Sequence, residues 1–163
     1  MALIKPAKGN VEVVVAAVAA RDVSRAQAFA AKHDIARVHE KYKTLIADPD
    51  LDAVYNPLPN SLHGRWTRAA LGAGKHVLCE KPLSLNVAEA ESLLAVRDRT
   101  GVKIGEAFMI RSFPQWLRLR ELLKQGRVGE LRSVVGVFSY FNVDPANIRN
   151  QVEAGGSEQA CRD

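Results

Sequence analysis

The stretch Val11–Ala19 reads Val-Glu-Val-Val-Val-Ala-Ala-Val-Ala and is apolar at every position except Glu12. A Val-rich run without alternation is the pattern of a parallel strand covered on both faces. Parallel neighbours cannot be joined by a tight turn; they need a crossover of a dozen or more residues, usually a helix. The next residues supply one. Ser24–His33 puts Ala26, Phe29 and Ala30 on one stripe, with Asp22 or Ser24 as N-cap. A short helix over Tyr42–Ala47 stops before Asp48-Pro49-Asp50, and Asp52–Asn56 reads as a second strand.

The alternation continues. Leu62, Trp66, Ala69 and Ala70 mark a helix closed by Gly72 and Gly74, and His76–Cys79 is a third strand. Asn86-Val-Ala-Glu89 has the form of a capping box whose helix runs through Ala90, Leu93 and Leu94 to Gly101. Val102–Phe108 is a fourth strand, and Pro114 opens a helix that ends at Gly126. Strand and helix alternating at these lengths predict an α/β fold with a doubly wound, Rossmann-like parallel sheet. Leu131–Asn142 departs from this pattern, being long, partly alternating and followed by no helix. It predicts the opening of an antiparallel sheet in a second, α+β domain. The boundaries so read are 1–108 for the first domain and 109–163 for the second.

Composition and charge remove several function classes. A chain of 163 residues that is 47% hydrophobic and 25% charged can build a packed core. Its longest apolar run, Val13–Ala20, is far below the ~20 residues that cross a bilayer. Met1-Ala-Leu-Ile-Lys-Pro6 lacks the apolar core of a secretory signal. Two cysteines, Cys79 and Cys161, make no disulfide scaffold, so a reducing, cytoplasmic setting is the expectation. The net charge of +5 is spread along the chain. Its densest group, Arg111, Arg118, Arg120, Lys124, Arg127 and Arg132, reads as a solvated helix face or as a phosphate-binding patch. No nucleic-acid reader motif accompanies the charge, so neither nucleic acid nor membrane is expected as a partner. His33 and His39 have no cysteine or carboxylate at metal-ligand spacing, and no metal site is expected.

Cys79-Glu80-Lys81-Pro82 follows the third strand directly. In an open parallel sheet, ligands bind beyond the carboxyl ends of the strands. Pro82 biases Lys81 to an extended conformation. A lysine in such a crevice can hold its proton beside a substrate hydroxyl or carbonyl, and Glu80 can pair with it. The same residues also fit an ordinary surface Glu-Lys pair. Cys79 reads as a buried structural thiol, since no Cys–His–Asn set is visible.

Three segments occur in order: Asp52-Ala-Val-Tyr-Asn-Pro-Leu-Pro-Asn60-Ser-Leu-His63, Ala73-Gly-Lys-His-Val-Leu-Cys-Glu-Lys-Pro82 and Glu106-Ala-Phe-Met-Ile-Arg111. Together they resemble the glucose–fructose oxidoreductase/inositol dehydrogenase/MocA (Gfo/Idh/MocA) family, from about Ala2 to about Gly156. The resemblance implies a dinucleotide-binding domain followed by a mixed or antiparallel substrate domain. It also implies NAD(P)-dependent hydride transfer at a sugar or cyclic polyol carbon, with sugar and dihydrodiol dehydrogenases as similar members. Lys81 matches the lysine of the Glu-Lys-Pro motif, which implies a catalytic place beside the nicotinamide and the reacting oxygen. Glu80, Lys81, Asn60 and His63 match cofactor-binding positions, the last two in an Asn-x-x-His loop. Glu106 and Arg111 match the strand end and loop that close over the substrate. His63 also fits a helix-start histidine facing solvent, and Arg111 a surface arginine before Pro114.

At the end of the first strand the chain reads Ala19-Ala20-Arg21-Asp22. A carboxylate there bonds the ribose 2′-hydroxyl of NAD, whereas an arginine accommodates the 2′-phosphate of NADP. Small residues followed by Arg21 favour NADP over NAD, because a guanidinium can fork onto phosphate oxygens. Asp22 fits either a ribose contact or a helix N-cap.

Two parts of the family pattern have no match here: the first strand with its Gly-rich pyrophosphate loop, and the downstream catalytic Asp and His. Ala2-Leu-Ile-Lys-Pro resembles the helix that follows that loop. Gly155-Gly156 resembles the entry to the downstream motif, which Ser157–Asp163 does not continue. The resemblance therefore implies a chain truncated at both ends, with a sheet lacking its first and central strand. Such a chain is expected to be marginally stable, because neighbouring strands keep unpaired backbone groups. Two readings of function stand: an oxidoreductase acting on a sugar or polyol, weak or inactive in this form, or a non-catalytic remnant with at most weak nucleotide affinity. A homo-oligomer is compatible with either.

Overall fold

The computed structural model describes residues 3–155. In chain order the elements are α1 (Ile4–Lys8), β1 (Ala17–Ala19), α2 (Val23–His33), β2 (Arg37–His39), α3 (Tyr42–Ile46) and β3 (Ala53–Asn56). They continue with α4 (Asn60–Gly72), β4 (His76–Cys79), α5 (Val87–Thr100), β5 (Ile104–Glu106) and α6 (Pro114–Lys124). Single 3-10 turns lie at Met109–Ser112, Ile148–Asn150 and Val152–Ala154.

Local chemistry accounts for the helix ends. Asp22 caps α2, its Oδ1 accepting from the Ser24 amide at 2.9 Å and the Ser24 hydroxyl at 2.7 Å. This occupies the carboxylate as a cap. Asn86 caps α5 through the Glu89 amide at 2.9 Å, as its sequence motif predicts. The return half of that motif is shifted by one residue: Glu89 Oε2 accepts from the amide of Leu85, outside the helix. On α4 the buried positions are His63, Gly64, Thr67, Ala70 and Leu71, one stripe at helical spacing.

All strand pairs are parallel, and they form two ribbons. β1 pairs β2 with Val18 opposite Val38. β3, β4 and β5 pair in that order, with Val54 opposite Val77 and Val77 opposite Ile104. In the doubly wound order 3-2-1-4-5-6 these are neighbours 3-2 and 4-5-6. Among the described residues, position 1 carries no strand. Each ribbon has its own core: Ile4, Ala30 and Ile35 beside β1 and β2, and Ile46, Ala70, Leu71, Val77, Cys79, Leu93 and Val96 around β4.

Three expectations need correcting. The first strand is not Val11–Ala19 but its last three residues; β1 has a ladder partner on one side only, and Val11 and Val14 are exposed. β2 was not foreseen, because Arg-Val-His offers one apolar side chain to read. Leu131–Asn142 forms no strand, and Val134, Val135, Val137, Phe138 and Phe141 on it are exposed. A strand needs a neighbour to bond its edge, and nothing among the described residues takes that place, so the antiparallel layer is not formed here. Cys161 and Gly156 lie outside the described residues.

Candidate cofactor and substrate site

Asn56, Cys79 and Glu106 are in register across β3, β4 and β5, so three loops leave the same carboxyl edge of one ribbon. The ladder reaches one residue further through Glu80 N to Asn56 O at 3.0 Å and Ala107 N to Cys79 O at 2.7 Å. Glu80 and Lys81 therefore begin at the rim. Lys81 is exposed, and the Lys81–Pro82 bond is cis. Glu80 is half-buried and accepts at Oε1 from the Tyr55 hydroxyl at 2.6 Å. Burial first, then the bond and charge of Glu80, push the Tyr55 phenol up to about 12.

The Asn-x-x-His loop is built from below by Asn56, which is buried and donates to His63 O at 3.2 Å and Thr67 Oγ1 at 3.1 Å. Its Oδ1 accepts from the Leu58 amide at 3.3 Å. His63 does not face solvent: it is 1% exposed, with Nδ1 2.6 Å from Pro82 O and Nε2 2.6 Å from Leu58 O. Asn60 lies at the mouth and donates to Gly155 O at 2.9 Å, drawing the far end of the described chain over the start of α4. Gly155 has φ +77°, and a Cβ there would stand 2.7 Å from Asn60 Cβ and 3.0 Å from Ser61 N. Only glycine permits that approach. Glu106 accepts from the Leu83 amide at 2.9 Å, so one of its oxygens holds the Glu80–Asn86 loop in place.

The other two predicted residues lie elsewhere. Arg21 is exposed just beyond β1, on the two-stranded ribbon. Arg111 sits in the Met109–Ser112 turn and lines a hollow of about 230 Å³ with Ile110, Trp116, Leu117 and Arg120; Lys81 does not line it. Burial pushes the Cys79 thiol up, in keeping with a structural role. Sequence reasoning missed Tyr55, Asn56 and Thr67. Tyr55 sits one position from the strand end, directly opposite Leu78, and that register was the available signal. Among the described residues no cluster of metal-ligating side chains occurs, and no helix is long and apolar enough to cross a membrane.

Residues 3–108 match the family model for GFO_IDH_MocA, described as an oxidoreductase family with an NAD-binding Rossmann fold. The chain is 49% identical over 142 residues to oxidoreductase ORF334 of Rhizobium meliloti, covering 87% of this chain and 42% of that protein. It is 45% identical over 127 residues to D-xylose 1-dehydrogenase (NADP(+)) 2 of Haloferax volcanii, covering 78% and 38%. A variant of KijD10, a 3-ketoreductase from Actinomadura kijaniata solved with TDP-benzene and NADP, superposes with a TM-score of 0.87. That alignment is 37% identical and covers 94% of this chain and 47% of the other. The chain thus spans less than half the length of each of these proteins.

Proposed function

Because this chain belongs to the Gfo/Idh/MocA oxidoreductase family, we propose that it carries the nucleotide-binding part of an NADP(H)-dependent oxidoreductase acting at a sugar or polyol carbon. Residues 1–108 are assigned to the dinucleotide-binding domain and 109–163 to the start of a substrate domain, whose sheet Leu131–Asn142 would enter beside further strands. The observation that carries the reading is the meeting of Glu80, Lys81, the Asn60–His63 turn and Glu106 on one carboxyl edge.

The residues present fit two ends of the dinucleotide. Arg21, exposed beyond β1, would take the 2′-phosphate. Asn60, Glu80 and Lys81 would flank the nicotinamide, with His63 behind them. No G-x-G-x-x-G turn occurs in the sequence, and pyrophosphate contacts are assigned to no residue. The nicotinamide, when bound, accepts or supplies the hydride. Lys81 would hold a proton at Nζ for the reacting oxygen, and the Tyr55–Glu80 pair would keep a carboxylate beside it. Glu106 would hold the loop carrying Lys81, while Arg111 would reach substrate from the next turn. A buried free thiol at Cys79 is in keeping with a reducing, cytoplasmic compartment.

Titration of the purified chain with NADPH and NADH, followed by nicotinamide fluorescence, tests the reading. Saturable binding that prefers NADPH is expected. In Arg21→Ala that preference should fall about tenfold or more, since a hydrogen bond to a charged group contributes ~1.5–3 kcal/mol. Lys81→Ala should bind NADPH and lose hydride transfer. If neither nucleotide binds saturably, the proposal fails. The division of the sheet into two ribbons favours a second reading, nucleotide binding without turnover; NADPH binding with no transfer to any sugar would select it.

A further inference from the structure

We propose that His63 carries hydrogen on both ring nitrogens and clamps the loop after β3 to the loop after β4, so that it acts as a positioning residue for Glu80 and Lys81. Its two neighbours, Pro82 O and Leu58 O, each stand 2.6 Å from a ring nitrogen. Both are main-chain carbonyls, which only accept. A neutral imidazole has one N–H and one lone pair, so one of the contacts would set lone pair against lone pair. Turning the ring over would point carbon at both oxygens and strand two nitrogens in a site that is 1% exposed. Only the doubly protonated ring donates to both.

Burying a cation is costly unless it is bonded and paired. Both contacts are at the short end of hydrogen-bond distances, so neither leaves room for a lone pair facing the carbonyl oxygen. Glu89 on α5 packs over Gly64, the next residue in the chain, where a Cβ would overlap its carboxylate. The other ionisable groups on the surrounding elements are Tyr55 on β3, His76 and Cys79 on β4, Glu80 and Lys81 after it, Glu91, Arg97, Asp98 and Arg99 on α5, and Glu106 on β5, with Arg65 and Arg68 on α4 itself. Leu58 is fixed in turn by Asn56, and Leu83, next to Pro82, by Glu106, so the clamp joins two loops that are each anchored to a strand.

The experiment is nitrogen-15 NMR of the imidazoles in the full chain, with His63 assigned by its loss in His63→Gln. Two protonated ring nitrogens at pH 7 are expected; one protonated nitrogen, the mark of a neutral tautomer, overturns the proposal. In His63→Gln the amide signals of Leu58 and Asn60 and those of Glu80, Lys81 and Leu83 should move together while those of α5 hold still. Movement of one loop alone would overturn the clamp. The positioning role rests on the proposed function, and there NADPH affinity should fall about tenfold; unchanged affinity would overturn that role. If His63→Gln does not fold, the spectrum of the unsubstituted chain, assigned by elimination over four histidines, still decides. The imidazole spectrum needs no nucleotide, so failure of the chain to bind NADPH would remove the proposed function and leave the clamp to be judged by NMR.

Discussion

The bond from the Tyr55 hydroxyl to Glu80 fixes how the carboxylate is presented at the rim, because the phenol, pushed up to about 12, remains a donor throughout neutral pH. Tyr55→Phe keeps the ring and removes the donor. The substitution should cost about 1–2 kcal/mol, the usual effect of leaving a half-buried acceptor without its partner. Urea denaturation reads that loss. A tyrosinate absorbance titration should also lose its component near 12, and if that component persists, it belongs to another tyrosine and the pairing is wrong. The place of Glu80 and Lys81 at the rim was legible from the sequence because they directly follow a strand, whereas their expected role came from the family motif, since the pair alone also fits an ordinary surface. Tyr55 was not, since a tyrosine in a strand reads as an ordinary strand former. The burial of His63 was equally hidden. It depends on two carbonyls, five and nineteen residues away, arriving on opposite sides of one ring.

Packing of α4 against α5 turns on Gly64 and the Glu89 carboxylate that lies over it while bonding the Leu85 amide. Gly64→Ala brings opposing effects. Helix propensity gains about 1 kcal/mol. Against it stand the lost cap, about 1 kcal/mol, and overpacking of about 1–3 kcal/mol. A net loss of about 1–3 kcal/mol is therefore expected in urea denaturation. Adding Glu89→Ala removes the obstructing carboxylate, so the double variant should lose less than the sum of the two single ones. Strict additivity would show that the two residues do not meet. Periodicity made these helices readable, and β3 and β4 with them, since each offers several apolar positions in a recognisable pattern; β5 was read from the longer run Val102–Phe108, of which only Ile104–Glu106 is strand. It failed where a pattern needs a partner to become structure. Val11–Ala19 is apolar throughout save Glu12 yet is strand only where β2 bonds it, and Leu131–Asn142 alternates without a neighbour. β2 shows the reverse: little pattern, but a ladder to join.

Among the described residues the two ribbons have separate cores and no ladder between them, so side chains make the connection. Arg37 and His39 project from β2 to Asp48, at 3.1 Å and 3.0 Å, and Arg37 also reaches Asp50 at 2.8 Å. Lys75, just before β4, donates to the Asp48 carbonyl at 2.8 Å, so one residue of the α3–β3 connection is held from both ribbons. α3 reinforces the joint by touching β1, β2 and α4. The Asp48 carboxyl is held below its ordinary range chiefly by the Asp50 amide, then by His39 and Arg37, against the opposing effect of its burial. A value lower in the folded chain than in the unfolded one means that folding favours the ionised form. That contribution is fully present above the unfolded value, near 4, and is lost as pH falls through the lower folded value. Asp48→Asn keeps the shape and removes the titration. Thermal melts from pH 7 down to pH 3 should show the unsubstituted chain losing stability more steeply than the variant, which starts from a lower midpoint at pH 7. Parallel acid slopes for the two proteins would mean that the carboxylate does not link the ribbons.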